Sequence, residues 1–251
     1  MMPSAHWPLL ALAGFAAGAI NALAGGGTLV SFPALLALGI APVTANITST
    51  VALCPGYLGA ALAQRRDLAG QRWRLLSLLP VAACGGLLGA AWLLHTNERA
   101  FARAVPWLIL LACALLALQE KVRSMLQSRQ PAAASYWALP LVGAGAIYGG
   151  YFGAGMSVIL LAALGIVFDD SLLRLNALKQ WLALAANATA AAWLALRTPL
   201  DWTVVAVLAL SAALGGACGG RIAGRLSPPV LRRAVVLLGV AIALVYLYRI
   251  P

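Results

Sequence analysis

Two stretches of this 251-residue chain combine glycine-rich backbone with small polar side chains at a spacing suited to holding an anion. The first reads Gly25-Gly26-Gly27-Thr28 and is followed by Asn46-Ile47-Thr48-Ser49. The second reads Gly149-Gly150-Tyr151-Phe152-Gly153-Ala154-Gly155 and is followed by Asn176-Ala177-Leu178-Lys179. Glycine runs weaken a helix by about 1 kcal/mol per residue. The half-helix that restarts beyond them presents unpaired N–H groups at the positive end of its dipole, which suits an anion. Asn46 with Ser49, and Asn176 with Lys179, are i and i+3, so each pair shares one helix face.

The candidate binding set is therefore Asn21, Gly25, Gly26, Gly27, Thr28, Asn46, Ser49, Gly150, Gly153, Gly155, Asn176 and Lys179. Lys179 would bring charge and the others hydrogen bonds. Plainer uses compete: glycines let helices pack closely, and Lys179 near a helix start can snorkel to lipid headgroups. For Gly85-Gly86 and Gly219-Gly220 packing is the preferred reading. Asn187 and Thr189, deeper in the same segment as Lys179, either line a cavity or bond across helices.

Other chemistries find little support. Cys54, Cys84, Cys113 and Cys218 sit in apolar runs without CxxC spacing and read as buried small hydrophobes rather than a disulfide or zinc framework. Asp169-Asp170 precedes an apolar segment and reads as a helix N-cap. No nucleophile with a base, paired carboxylates or metal cluster stands at recognisable spacing, so an enzyme is not expected, nor a cofactor or metal. No GxGxxG follows a strand.

The elements that must position these residues follow from composition. The chain is 63% apolar and 9% charged, against about 25% charged in soluble domains. Most of its exterior must then face lipid. The net charge of +11 comes from cations in the short breaks between apolar runs, the pattern of membrane loops rather than of a nucleic-acid groove. The N-terminal run lacks a basic n-region and outlasts an ordinary h-region, so it reads as membrane segment rather than signal peptide.

Eight apolar segments are predicted: roughly 7–40, 43–63, 75–94, 101–119, 136–166, 172–196, 202–223 and 231–249. A straight helix over 7–40 would measure about 50 Å against a hydrocarbon core of about 30 Å. The first and fifth segments resemble each other, as do Ala83-Cys84-Gly85-Gly86 and Ala217-Cys218-Gly219-Gly220. The chain thus divides into a repeat over 1–120, a polar linker over 121–135 and a second repeat over 136–251, an organisation common in secondary transporters.

Charge then selects a topology. If all eight segments cross, the cations divide almost evenly between the two sides. If the first and fifth break and turn back, the repeats are inverted. Thirteen of the 17 cations then lie inside, leaving only Arg99, Arg103, Arg197 and Arg249 outside with both termini. A tilted or kinked single span is the alternative.

Taken in order, Gly14 to Gly18, Gly25 to Gly27, Pro33, Ala45 to Ser49, Gly149 to Gly155 and Asn176 to Lys179 resemble the sulfite exporter TauE/SafE family of membrane permeases over nearly the whole chain. The resemblance implies an all-α polytopic transporter in a cell inner membrane, exporting or taking up small sulfur-containing anions such as sulfite, sulfonates or sulfoacetate. An anion channel, or a carrier of a non-sulfur anion such as a carboxylate, is the alternative. The implied partners are the anion and the lipid bilayer, with no nucleic acid, and a homo-oligomer stays open. Thr28 after the glycine triplet and Met156-Ser157 after the second motif depart from the family pattern, which bears on the substrate.

Overall fold

The computed structural model describes residues 6–24, 26–128, 137–222 and 228–249. Among them the regular elements are all helical. The ten α-helices are α1 (His6–Ala24), α2 (Thr28–Ala37), α3 (Pro42–Ala63), α4 (Arg72–His95), α5 (Glu98–Ser128), α6 (Ala138–Tyr151), α7 (Met156–Val167), α8 (Leu172–Arg197), α9 (Trp202–Ile222) and α10 (Pro228–Arg249), with a 3-10 turn at Arg65–Leu68. Local signals fix several ends. Pro42 opens α3, where its missing N–H costs nothing. Gly39, at φ 81°, closes α2, with the Ile40 N–H reaching back to Leu35 O at 3.2 Å.

The eight predicted segments are present, and the first and fifth are each broken in two. The breaks reverse the chain. A Cβ on Gly149 would strike the Met156 side chain, and one on Gly145 would lie 3.0 Å from Ile159, so α7 runs back along α6. At the first break a Cβ on Gly27 would lie 2.7 Å from Ala17 O and 2.9 Å from Asn21 Cβ, which sets the start of α2 against α1. Residues beyond α7 return to where α6 began. α6 runs parallel to α4, matching Gly85 to Ala146 and Gly89 to Tyr151. After α7, Asp170 reaches Arg74, in the first turn of α4, at 2.6 Å. Broken hairpins, not long tilted spans, form these two segments.

The two halves interlock. α1 lies along α9, and α6 lies along α4, so each first half-helix packs on the third segment of the other half. Glycine makes both contacts possible: a Cβ on Gly18 would enter the Ala212 backbone, one on Gly215 the Phe15 backbone, and one on Gly150 the Gly86 backbone. Between the halves α3 and α8 run antiparallel, Gln64 meeting Asn176 and Thr50 O meeting Asn187. The interior is continuous: Phe32, Phe101 and Phe152 are fully buried together with Leu10, Ile47 and Leu194.

Large apolar side chains cover the outside, among them Leu12, Trp92, Leu196, Leu210 and Leu237. Among the described residues, Arg72–His95 and Glu98–Val122 are long and apolar enough to cross a membrane, with mean hydropathies of 1.8 and 2.2. An exterior of this kind belongs in lipid.

The polar linker expected over 121–135 begins as a continuation of α5, which stays helical as far as Ser128 because the chain after Leu118 keeps good helix formers; residues 129–136 lie outside the described set. One expectation is corrected. The N-cap of α8 is Ser171, whose side chain accepts from the Arg174 N–H at 3.4 Å. Asp170 stands one residue too early to cap and instead pairs with Arg74 and Arg174 at 2.6 and 2.7 Å.

Candidate functional site

The two breaks meet in the middle of the molecule. A single turn of α5 touches both: a Cβ on Gly26 would lie 3.2 Å from Leu116, and one on Gly155 3.1 Å from Leu115 and 3.5 Å from Ala112 Cα. That turn is halfway along a helix of 31 residues. Across the gap, the point where a Gly153 Cβ would sit is 3.9 Å from Thr28 Oγ1. Two half-helices, α2 and α7, therefore start from one place.

Each start leaves donors over. At the first break Leu29 N–H bonds to Gly26 O, and Val30 and Ser31 N–H to Gly27 O, all at 3.0 Å. At the second, Met156 N–H bonds to Gly153 O at 3.2 Å and Val158 N–H to Gly155 O at 3.0 Å. Among the described residues no backbone carbonyl accepts from the N–H groups of Gly27, Thr28, Ala154, Gly155 or Ser157. Such groups at helix starts are the donors an anion seeks.

Polar side chains from α3 close around the same centre. Ser49, fully buried, hydrogen-bonds Ser31 Oγ at 2.5 Å, and Ser31 Oγ reaches Gly27 O at 3.3 Å. Asn46, 0% exposed, donates from Nδ2 to Tyr151 O at 2.8 Å and so ties α3 to the last residue of α6. Tyr148 donates its hydroxyl to Ala154 O at 2.7 Å, clamping the second break. Beyond the break lies an aromatic plug. Phe32 meets Phe152 edge-on at 5.4 Å and Phe101 at 6.4 Å, and Phe101 meets Tyr151 at 5.8 Å. The Tyr151 hydroxyl, 3.5 Å from Thr96 Oγ1, joins these rings to the α4–α5 turn.

The structure divides the sequence-derived set. Gly26, Gly27, Thr28, Asn46, Ser49, Gly153 and Gly155 converge on the breaks, with Asn21 beside Gly27 and Gly56. Gly25 lies outside the described residues. Gly150 sits on the Gly86 backbone and serves packing, as do Gly85 and Gly86; Gly219 and Gly220 are outside the described side chains.

Asn176 does not join the centre. It donates to Gln64 Oε1 at 2.6 Å, eighteen residues along the chain from Asn46, about 27 Å on a helix. Aligned positions in two antiparallel helices fall at opposite ends, so one polar cluster was the wrong expectation for the Asn46 and Asn176 pairs. Lys179 is 6% exposed and is held inside the protein rather than extended to the lipid surface. Asn187 and Thr189 bond across helices, to Thr50 O at 3.2 Å and to Ala83 O at 2.9 Å.

Near Lys179, at the start of α8, the loop around the 3-10 turn is pinned by Gln71, which donates to Asp67 O at 3.2 Å and Arg174 O at 2.9 Å. Burial acts to raise the pKa of the Asp170 carboxyl. Hydrogen bonds from Arg74, Arg174 and the Ser171 N–H outweigh it and hold the carboxyl below its ordinary range.

Sequence reasoning missed Tyr148, Ser31 and the three phenylalanines. Ser31 follows the glycine triplet by one helical turn and was open to inspection; the phenylalanines are far apart in sequence and carry no local signal.

A family model for the sulfite exporter TauE/SafE matches residues 10–246. The chain is similar to a probable membrane transporter protein of Haemophilus influenzae, with 26% identity over 209 residues that cover 82% of this chain and 81% of the relative. The family match, residues 10–246, spans both breaks and every helix between them. The chain is a membrane transporter, not an enzyme, and belongs to the sulfite exporter TauE/SafE family.

Proposed function

We propose that the protein carries small sulfur-containing anions, of the size of sulfite, short sulfonates or sulfoacetate, across a cell inner membrane. The observation that carries this reading is the convergence of two half-helix N-termini on one turn of α5. The N–H groups of Gly27, Thr28, Ala154 and Gly155 approach an oxyanion from two sides, and Ser49 and Asn46 add side-chain hydrogen bonds. A small tetrahedral or pyramidal oxyanion presents oxygens in several directions and uses such an arrangement better than a planar carboxylate does.

In this reading the protein is a multi-pass inverted repeat. Segments one and five enter and leave on the same side, both termini lie outside, and the cations near Arg65 to Arg74 and Lys121 face the cytoplasm. Asn176 and Lys179 then stand on the cytoplasmic approach to the centre. Lys179 attracts the anion there and does not bind it at the midplane. Alternating access would require the aromatic plug of Phe32, Phe101 and Phe152 to open while the opposite approach closes.

The test is counterflow in proteoliposomes holding purified full-length protein, with sulfite, a short sulfonate, sulfoacetate and size-matched carboxylates as competitors. Saturable exchange competed by the sulfur anions, with a raised KM in Ser49→Ala, supports the reading. Equal competition by the carboxylates would overturn the sulfur assignment, and non-saturating flux would make the protein a channel.

A further inference from the structure

The two breaks are built on one kind of tight turn in two orientations. The repeats align Gly18-Ala19-Ile20-Asn21 with Gly145-Ala146-Ile147-Tyr148. The same register sets Gly26, Gly27, Thr28 and Leu29 against Gly153, Ala154, Gly155 and Met156. Both four-residue turns close with the same bond, Leu29 N–H to Gly26 O at 3.0 Å and Met156 N–H to Gly153 O at 3.2 Å. Their central peptides differ. Gly27, at φ −55° and ψ −39°, has the torsions of a type I turn. Gly155, at φ 84° and ψ −5°, has those of a type II turn, in which the central peptide is turned over.

The third residue of each turn limits the choice. Thr28 is β-branched, and such residues avoid positive φ, so the first turn is confined to type I. Gly155 accepts either sign of φ, so the second turn is not decided by its own sequence. Its orientation has to be held from outside.

The carbonyl partners show what holds it. Gly27 O enters the ladder of α2, accepting from Val30 and Ser31 N–H at 3.0 Å each. Ala154 O, the aligned carbonyl, receives no backbone N–H among the described residues. It accepts from the Tyr148 hydroxyl at 2.7 Å instead. Ala154 O and Gly155 N–H belong to one trans peptide plane and point in opposite directions. A hydroxyl fixed on the carbonyl therefore fixes the N–H. Without that hydroxyl, Ala154 O would be a carbonyl short of a partner, which is costly away from water. The α7 ladder offers it the place that Gly27 O takes in α2, and moving there turns Gly155 N–H to the opposite side.

We propose that Tyr148 is a positioning residue for the substrate: its hydroxyl holds the Ala154–Gly155 peptide in the type II orientation and so aims the Gly155 N–H. This role rests on the anion reading above, in which that N–H is one of the donors. The first break is then the fixed half of the cradle, and the second is the half set by a side chain.

The test is sulfite counterflow in proteoliposomes holding purified full-length protein. Tyr148→Phe keeps the ring and removes the hydroxyl. Losing one hydrogen bond to a charged ligand should raise KM for sulfite about tenfold, with the maximal rate changed much less. Gly155→Ala, which favours negative φ, should turn the same peptide over and raise KM similarly. Its Cβ would lie 3.1 Å from Leu115, so Tm of each variant is measured beside the transport. The double variant should show no further rise in KM, because both changes act on one peptide. A parent-like KM in Tyr148→Phe, with any loss confined to Tm or maximal rate, would make Tyr148 a structural clamp and overturn its positioning role while the anion reading stands. Multiplying KM effects in the double variant would overturn it as well. Absence of saturable exchange of any sulfur anion by the parent would remove the anion reading and this role with it.

Discussion

At the first break Gly27 keeps helical torsions, φ −55° and ψ −39°, and needs to be glycine because Ala17 O and Asn21 Cβ press on its Cα face. At the second break Gly153 and Gly155 sit at φ 83° and 84°, where an L side chain is strained whatever the space around it. Glycine thus answers a steric demand in one motif and a torsional demand in the other. Similar glycine-rich sequences can build similar hairpins by different means, and the two breaks should respond differently to the same substitution.

The largest effect is expected at Gly27. Gly27→Val would push α2 off α1 and cost about 3 kcal/mol or more, read as a fall in Tm of the detergent-purified protein; Gly27→Asn should do no better. Gly153→Ala and Gly155→Ala should each cost about 1–2 kcal/mol from torsion. Gly153→Asn should recover part of that loss, because Asn tolerates the left-handed region. If Asn rescued position 27 but not 153, the steric and torsional assignments would be reversed.

The two ends of α3 extend the comparison. Asn46→Ala breaks a fully buried tie and should cost about 2 kcal/mol, with loss of anion exchange. Asn176→Ala breaks a partly buried tie and should cost about 1 kcal/mol, changing KM more than the maximal rate. Equal transport defects from both variants would argue for one shared site.

The smallest effect concerns Asp170. Its carboxyl pKa is depressed in the folded protein, so the stability it contributes is present above the ordinary carboxylate range and is lost as pH falls through the depressed value. Both arginine partners are about a third exposed, which limits the gain to about 1 kcal/mol. Asp170→Asn should therefore lower Tm slightly at neutral pH, and the difference from the parent should shrink under acid conditions. A gap that widened in acid would contradict the ion-pair account.

Much of the fold was legible because lipid imposes strong rules on sequence. Length, the scarcity of charge and the glycine interruptions marked eight segments, two of them too long to be simple spans, and apart from the C-terminal end of α5 their positions match the helices to within a few residues. The candidate site was legible in part. Glycine placement found Gly26, Gly27, Gly153 and Gly155 because broken backbone in a membrane must be covered. Repeat alignment misled for Asn176 and Lys179: it pairs equivalent positions, and antiparallel packing of α3 and α8 then carries such positions apart. The extension of α5 to Ser128 was missed because its polar surface reads as loop when only apolar runs are counted.

The interlocking of α1 with α9 has a consequence for biogenesis. α1 leaves the ribosome well before α9 and finds its partner groove only when α9 is made. Until then Gly14 and Gly18 present an open stripe of backbone to lipid, or to a chaperone that shields it. The first half made alone should be a degradation substrate, and the two halves produced as separate chains should rescue each other.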